Sequence, residues 1–248
     1  MTDENHFFAL FDGLHRQGPG SIASTLKALA SLPPLPRDGL IADIGCGCGA
    51  SSLPLAEATV CQIKAFDLHK PFIDQLEKEL RHRNLQGRVT PVIADMRKLP
   101  LEQASVDLLW SEGAIYIIGF DHGLNLWKRF LRPNGYVAVT ELSWLNSSPS
   151  EKAKSFWMHE YPGIRTITEN IVAVETEGFK VVTSFPLPSD DFYDGYYEVL
   201  EQRAQTMKSN RPNDQAALNV ADAILKEIDV WHECKGDFSY VFYVGQLR

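Results

Sequence analysis

The stretch Leu40-Ile41-Ala42-Asp43-Ile44-Gly45-Cys46-Gly47-Cys48-Gly49-Ala50-Ser51 constrains the fold more than any other part of the chain. Leu40–Ile44 is a short, mostly apolar run of the kind that forms a buried strand. It leads straight into a segment in which every second residue is glycine. Glycine has no Cβ and reaches dihedrals that other residues avoid, so such a turn lets a ligand lie against bare backbone. A helix beginning just after the turn aims its free amide groups at whatever occupies it. The spacing is G-x-G-x-G and not the G-x-G-x-x-G of a dinucleotide-binding turn, which disfavours a nicotinamide-dependent oxidoreductase.

Strands and helices alternate after this point. Further strands are expected at Cys61–Phe66, Val89–Ala94, Val106–Trp110, Tyr136–Glu141, Phe179–Phe185 and Phe238–Gly245. Helices are expected over 7–14, 24–32, 50–58, 71–83, 117–131 and 164–177, and over about 192–234 with a break near Arg211-Pro212-Asn213. Phe72, Ile73, Leu76 and Leu80 mark the apolar side of the helix that Pro71 opens. This order predicts an α/β fold, a doubly wound, Rossmann-like, seven-stranded and mostly parallel sheet. An N-terminal helical segment precedes it and a helical cap is inserted before the last strand. A single domain over 1–248 is expected, with 1–39 as a helical lid, 40–141 as the core and 142–248 as the substrate side, its cap at about 190–235. Ligands of such sheets bind beyond the carboxyl ends of the strands. Asp43, Asp67, Asp95 and Glu112 all stand at those ends.

A formal charge of −8 and the lack of any long basic run argue against a nucleic-acid partner, since that binding needs clustered Lys and Arg. Met1 to Ala9 has neither the basic flank nor the apolar core of a signal peptide, and no apolar run nears the roughly 20 residues of a membrane span. A cytoplasmic protein without a membrane partner is expected. The four cysteines give no disulfide framework, and no zinc pattern completes the Cys46/Cys48 pair, so no metal is expected. Cys46 is read either as a redox thiol or as a small residue filling a tight turn.

The D-I-G-C-G-x-G form from Asp43 to Gly49, followed by acids at the next strand ends, is similar to the signature of class I S-adenosylmethionine-dependent methyltransferases. The likeness covers most of residues 40–141. Within the family the chain resembles small-molecule enzymes of the ubiquinone/menaquinone-biosynthesis type. The resemblance implies S-adenosylmethionine as cofactor and gives each residue a role. Gly45, Cys46 and Gly47 would pass under its methionine part, and Asp43 would help hold its ammonium, directly or through water. Asp67, 24 residues after Asp43, would bind both ribose hydroxyls, unless it is a helix-capping or surface acid. Asp95 would take the adenine amino group, unless it is a turn aspartate. Leu68 and Met96 would sandwich the adenine ring, and Ser111 would join the cofactor set. Gln17 and Gly20 lie in the loop Arg16-Gln17-Gly18-Pro19-Gly20-Ser21, expected either to fold over the cofactor or merely to link two helices.

Glu112 and Tyr116 are the candidate catalytic residues, on the substrate side. Glu112 would receive an ammonium, orient an amine or act as a base, or else hold backbone amides of its own loop. Trp144, Trp157, His159, Tyr161, Tyr193, Tyr196 and Tyr197 line an acceptor pocket or are plain packing. The expected function is methyl transfer to a small-molecule acceptor. The alternatives are a non-catalytic protein that binds the same cofactor and, less favoured, the nicotinamide enzyme. The segment Ser111-Glu112-Gly113-Ala114 lacks the Asn/Asp-Pro-Pro-aromatic motif that resembles amino-methylating DNA enzymes.

Overall fold

A computed structural model describes residues 3–248; Met1 and Thr2, part of the polar opening stretch, lie outside the described residues. The chain runs through α1 (Asp3–Phe11), α2 (Ile22–Ala30), β1 (Leu40–Ile44), α3 (Ser52–Ala58), β2 (Gln62–Asp67), α4 (Lys70–Arg83), β3 (Val89–Ile93) and β4 (Val106–Ser111). It continues through α5 (Phe120–Trp127), β5 (Leu131–Trp144), α6 (Glu151–Glu160), β6 (Arg165–Thr166), α7 (Ile167–Thr176) and β7 (Phe179–Pro186). The last elements are α8 (Asp190–Phe192), α9 (Glu198–Asn210), α10 (Gln215–Cys234) and β8 (Phe238–Leu247).

The sheet has the order β3-β2-β1-β4-β5-β8-β7, and β6 pairs with the far end of β5. All pairings are parallel except those of β8 with β5 and β7. This is the Rossmann-like, mostly parallel fold expected. Strand order reverses between β1 and β4, which opens a crevice above their carboxyl ends. Successive strand residues face opposite ways, and two cores result. Trp110 and Phe242 pack with Leu76, Phe156 and Ile228 on one face. Leu109 and Tyr243 pack with Phe120, Trp127 and Val174 on the other.

Several expectations need correction. The continuous path of the sheet has the seven strands expected, and among the described residues a two-residue strand, Arg165–Thr166, adds to it beside Ser143 and Trp144. The helix expected over 117–131 is broken into a 3-10 turn at Ile115–Ile118, then α5, then a second 3-10 turn at Lys128–Phe130. Gly119, at φ 87, ends the first piece. Strand β5 absorbs the turn expected at 132–135: it runs from Leu131 with a register shift opposite Val106/Leu108, and Asn134 takes φ 63. The helix expected from Ile164 begins at Ile167, where Thr166 and Glu169 form a reciprocal capping box. Helix α6, absent from the expected elements, is capped by Ser150, whose hydroxyl accepts the Ala153 amide. The cap is interrupted at Asp194 and Gly195 as well as after Asn210.

Helix α1 packs against the cap. The Arg203 guanidinium donates to the carbonyls of Leu10 (2.7 Å) and Asp12 (2.6 Å). His6 Nε2 lies 3.1 Å from Asp214. Among the described residues no helix is long and apolar enough to cross a membrane, and no cluster of His, Cys, Asp and Glu could hold a metal ion.

Candidate functional site

The glycine turn closes the carboxyl end of β1. The amides of Gly45 and Cys46 both donate to the Phe66 carbonyl, at 2.8 and 2.9 Å, which ties the turn to β2. Gly45 has φ 72 and Gly47 φ 52, in the left-handed region that side chains resist. Space is short as well: a Cβ on Gly45 would stand 2.4 Å from the Ala114 Cβ, and one on Gly47, 2.2 Å from Gln17 Oε1, would displace the end of that side chain.

A cavity of about 490 Å³ opens beside this turn. Its wall brings together most of the residues singled out in the sequence: Gly45, Cys46 and Gly47 from the turn, Asp67 and Leu68 after β2, Asp95 and Met96 after β3, Glu112 and Tyr116 after β4, and Gln17 from the N-terminal loop. Three stand outside the wall. Asp43 is fully buried behind the turn, where its Oδ2 accepts from Ser51 Oγ (2.7 Å) and Ser52 Oγ (2.5 Å). Its Oδ1 has no partner, and burial pushes the carboxyl up to about 7. Ser111 is also fully buried, with an unpartnered hydroxyl. Gly20, at φ 143, lets Arg16 lie against the backbone, since a Cβ there would meet the guanidinium at 2.6 Å.

Asp67 anchors the floor. Its Oδ2 accepts the Gly47 amide (2.9 Å) and its Oδ1 the His69 amide (2.8 Å). Burial raises its pKa and these two amides oppose the rise. Each oxygen keeps a further lone pair for a ligand hydroxyl. Asp95 is more open and accepts the Arg97 amide at 2.8 Å. Leu68 exposes 66% of its surface, an apolar side chain available to flank a flat ring. The Met96 carbonyl accepts from Trp127 Nε1 at 2.9 Å, which fixes the loop after β3.

Residues 16–19 cover the turn. Gln17 Oε1 accepts the Cys48 amide (3.0 Å), and Gln17 Nε2 donates to the Leu14 carbonyl (2.9 Å) and Cys48 Sγ (3.2 Å). The Cys46 thiol is buried, and that burial raises its pKa.

Glu112 already has a cation. Arg16 Nη1 donates to its Oε2 at 2.6 Å, while Thr25 Oγ1 (2.7 Å) and Trp110 Nε1 (2.8 Å) donate to its Oε1. The side chains of Arg16 and Glu112 are 14% and 5% exposed. The sequence suggested that Glu112 holds backbone amides or meets an acceptor; its partners are instead three side chains, two from the N-terminal segment. Arg16 is therefore a site residue that the sequence reading quoted only as part of a loop.

Tyr116 stands between the cavity and an aromatic cluster. Its ring meets that of Tyr161 edge-on at 6.1 Å. The Tyr161 hydroxyl donates to Glu141 Oε1 at 2.5 Å. Glu141 is 1% exposed, its Oε2 has no partner, and burial pushes it up to about 7. On the cap, the Tyr197 hydroxyl donates to Glu227 at 2.6 Å. Of the other aromatic candidates, Trp157 lies edge-on to Phe238 at 5.1 Å, and Tyr193 stacks on Trp231 at 5.8 Å. Glu141 and Glu227 were missed, although Glu141 repeats on β5 the acid-near-strand-end pattern of β1 to β4.

Residues 41–135 match the methyltransferase domain family. The chain is 31% identical to dimethylglycine N-methyltransferase of Parasynechococcus marenigrum over 120 residues, 47% of this chain and 42% of that protein. The curated relatives it matches are spanned over 36% to 59% of their own length. In structure it is similar to a methyltransferase from Geobacter sulfurreducens solved with S-adenosyl-L-homocysteine, with a TM-score of 0.79, 18% identity and 98% of each chain covered. It is also similar to the [4+2]-cyclase SpnF, with a TM-score of 0.70, 19% identity, and 94% and 84% of the two chains covered. At these identities the structural likeness is one of fold.

Proposed function

We infer that this chain, whose residues 41–135 match a methyltransferase domain, is an S-adenosylmethionine-dependent methyltransferase acting on a small-molecule acceptor. One observation carries the reading: Asp67 and Asp95, at the ends of adjacent strands, face a single cavity with Leu68, Met96 and the glycine turn. Asp67 would take the two ribose hydroxyls on the lone pairs its backbone bonds leave free. Asp95 would accept from the adenine amino group, with Leu68 and Met96 on the ring faces. Asp43 acts from behind the turn, through Ser51 and Ser52.

The bound donor supplies a methyl group on a cationic sulfur, already activated for a single in-line displacement. The protein then has to align the acceptor and exclude water. We assign that second task to residues 1–39 as a lid, held down by the Arg16–Glu112 pair and the Gln17 contacts. Residues 142–248, with the helical cap, form the acceptor side. The resemblance to quinone-biosynthesis enzymes suggests an aromatic acceptor, whereas the name of the Parasynechococcus relative points to an amine.

A second reading has a specific support, because a fold with a TM-score of 0.70 to this one belongs to a cyclase. The chain would then bind the cofactor without transferring its methyl group. Incubation with methyl-labelled donor and a cellular fraction of small molecules separates the two. Label in a small molecule supports the proposal, and label only in macromolecules replaces its acceptor class. Cofactor binding with no transfer favours the second reading.

A further inference from the structure

The cofactor reading uses the glycine turn, Asp67, Leu68, Asp95 and Met96, but the same cavity has a large apolar wall that this reading leaves without a task. Helix α1 supplies Phe7, Phe8 and Phe11 to it, α4 supplies Phe72, and the segment after β4 supplies Tyr116 and Ile117. Phe7 and Phe11 are four positions apart and Phe8 and Phe11 three, so all three lie toward one side of a nine-residue helix. Phe8 stacks face to face on His69 at 4.0 Å, and His69 meets Phe72 edge-on at 4.5 Å. These contacts seat α1 on the start of α4, just past Asp67. Phe7 leans on Phe11 at 4.7 Å.

Packing accounts for the buried members, Phe11 and Phe72, and not for the others. Phe7 is 43% exposed, Tyr116 41% and Ile117 52%. With Leu68 they make four of the ten large apolar side chains that stand exposed among the described residues, and all four line this one cavity. Single exposed apolar residues are ordinary, whereas a group of them around one opening marks a binding surface. The charged side chains of the wall are committed elsewhere. Arg16 is held by Glu112, Arg97 lies 3.4 Å from Asp95, and Asp67 accepts two backbone amides. What the mouth of the cavity offers an acceptor is therefore apolar surface.

Such a surface gains by covering its exposed area with an apolar body, and the gain grows with the area removed from water. The cavity supplies the occupant: these side chains come from separate segments of the chain and meet where the methyl donor is proposed to lie. We propose that the mouth of the cavity, lined by Phe7, Phe11, Tyr116 and Ile117, binds an uncharged, apolar portion of the methyl acceptor. This names the acceptor class for the site proposed above, an apolar body and not a small charged amine, and so rests on that reading. Binding at the mouth is measurable apart from methyl transfer.

The probe is N-phenyl-1-naphthylamine, an uncharged aromatic compound whose fluorescence rises in apolar surroundings. It is titrated into the full chain with and without saturating S-adenosylhomocysteine, whose own affinity is measured separately by calorimetry. The expected result is one-to-one binding that persists with S-adenosylhomocysteine present. Phe7→Ser combined with Ile117→Ser, both at exposed positions, is expected to weaken the probe about tenfold and to leave S-adenosylhomocysteine within about twofold. Val172→Ser, at an equally exposed apolar position on α7 outside the cavity, is expected to change neither. An undiminished probe affinity in the double variant, or an equal loss in Val172→Ser, overturns the proposal. A double variant that loses S-adenosylhomocysteine and keeps the probe also overturns it, since the mouth would then serve the cofactor. If S-adenosylhomocysteine fails to bind but the probe binds and the double variant loses it, the apolar mouth stands and the cofactor reading falls. Cofactor binding with no probe binding is the reverse.

Discussion

Arg16 and Glu112 meet at 2.6 Å, with side chains 14% and 5% exposed, and this contact fastens the N-terminal segment to the end of the fourth strand. It also decides what Glu112 is free to do. With Arg16, Thr25 and Trp110 all donating to it, the carboxylate anchors the N-terminal segment.

Breaking a buried ion pair from one side leaves a charge without compensation. Arg16→Ala is therefore expected to cost about 3 kcal/mol in urea denaturation, the low end of the range for such pairs. Arg16→Met combined with Glu112→Gln, which removes both charges, should recover at least half of that loss. Additive losses in the double variant would contradict the pairing.

Asp67 is expected to carry much of the cofactor affinity. Asp67→Ala should weaken S-adenosylhomocysteine binding at least tenfold, about 1.4 kcal/mol or more. Part of the loss comes through the Gly47 and His69 amides, which lose their acceptor. An unchanged dissociation constant in the folded variant would remove Asp67 from the ribose site.

Burial pushes Asp43 and Glu141 up to about 7, from ordinary values of 3.8 and 4.5. Between those limits the unfolded chain has released both protons and the folded chain still holds them. Stability of the ligand-free protein should accordingly fall as pH rises from about 4 to about 7, and the contribution of these two groups should be level above that. In Asp43→Asn with Glu141→Gln the decline should be flatter, read as the urea midpoint against pH. Asparagine at 43 can still accept from both serines and fills the unpartnered position with an amide. A decline as steep as that of the unaltered protein would show that other groups govern it.

What the sequence made legible was local or repeated. The glycine turn is local, because the residues that need positive φ are consecutive and their spacing reports the backbone. Asp67 and Asp95 followed from a repeated rule, since parallel strands deliver their ends to one edge of the sheet. The Arg16–Glu112 pair was not legible, because its members are 96 positions apart and nothing local marks them as partners. Asp43 shows the limit of position alone: it ends a strand as expected, yet the serines after the turn hold it behind the wall. Helix α6 had its signal, Ser150 followed by Ala153, Phe156 and Trp157 at helical spacing, but its apolar stripe is short. Strand β6 is two residues long and exists because β5 overruns β4, a tertiary fact with no counterpart in the local sequence.

Isothermal titration of the purified protein with S-adenosylhomocysteine tests the central claim most directly. A one-to-one isotherm in the micromolar range, weakened by Asp67→Ala, is the predicted result. No heat from a folded protein free of retained ligand, together with no displacement by S-adenosylmethionine, would contradict the claim that this cavity holds the methyl donor.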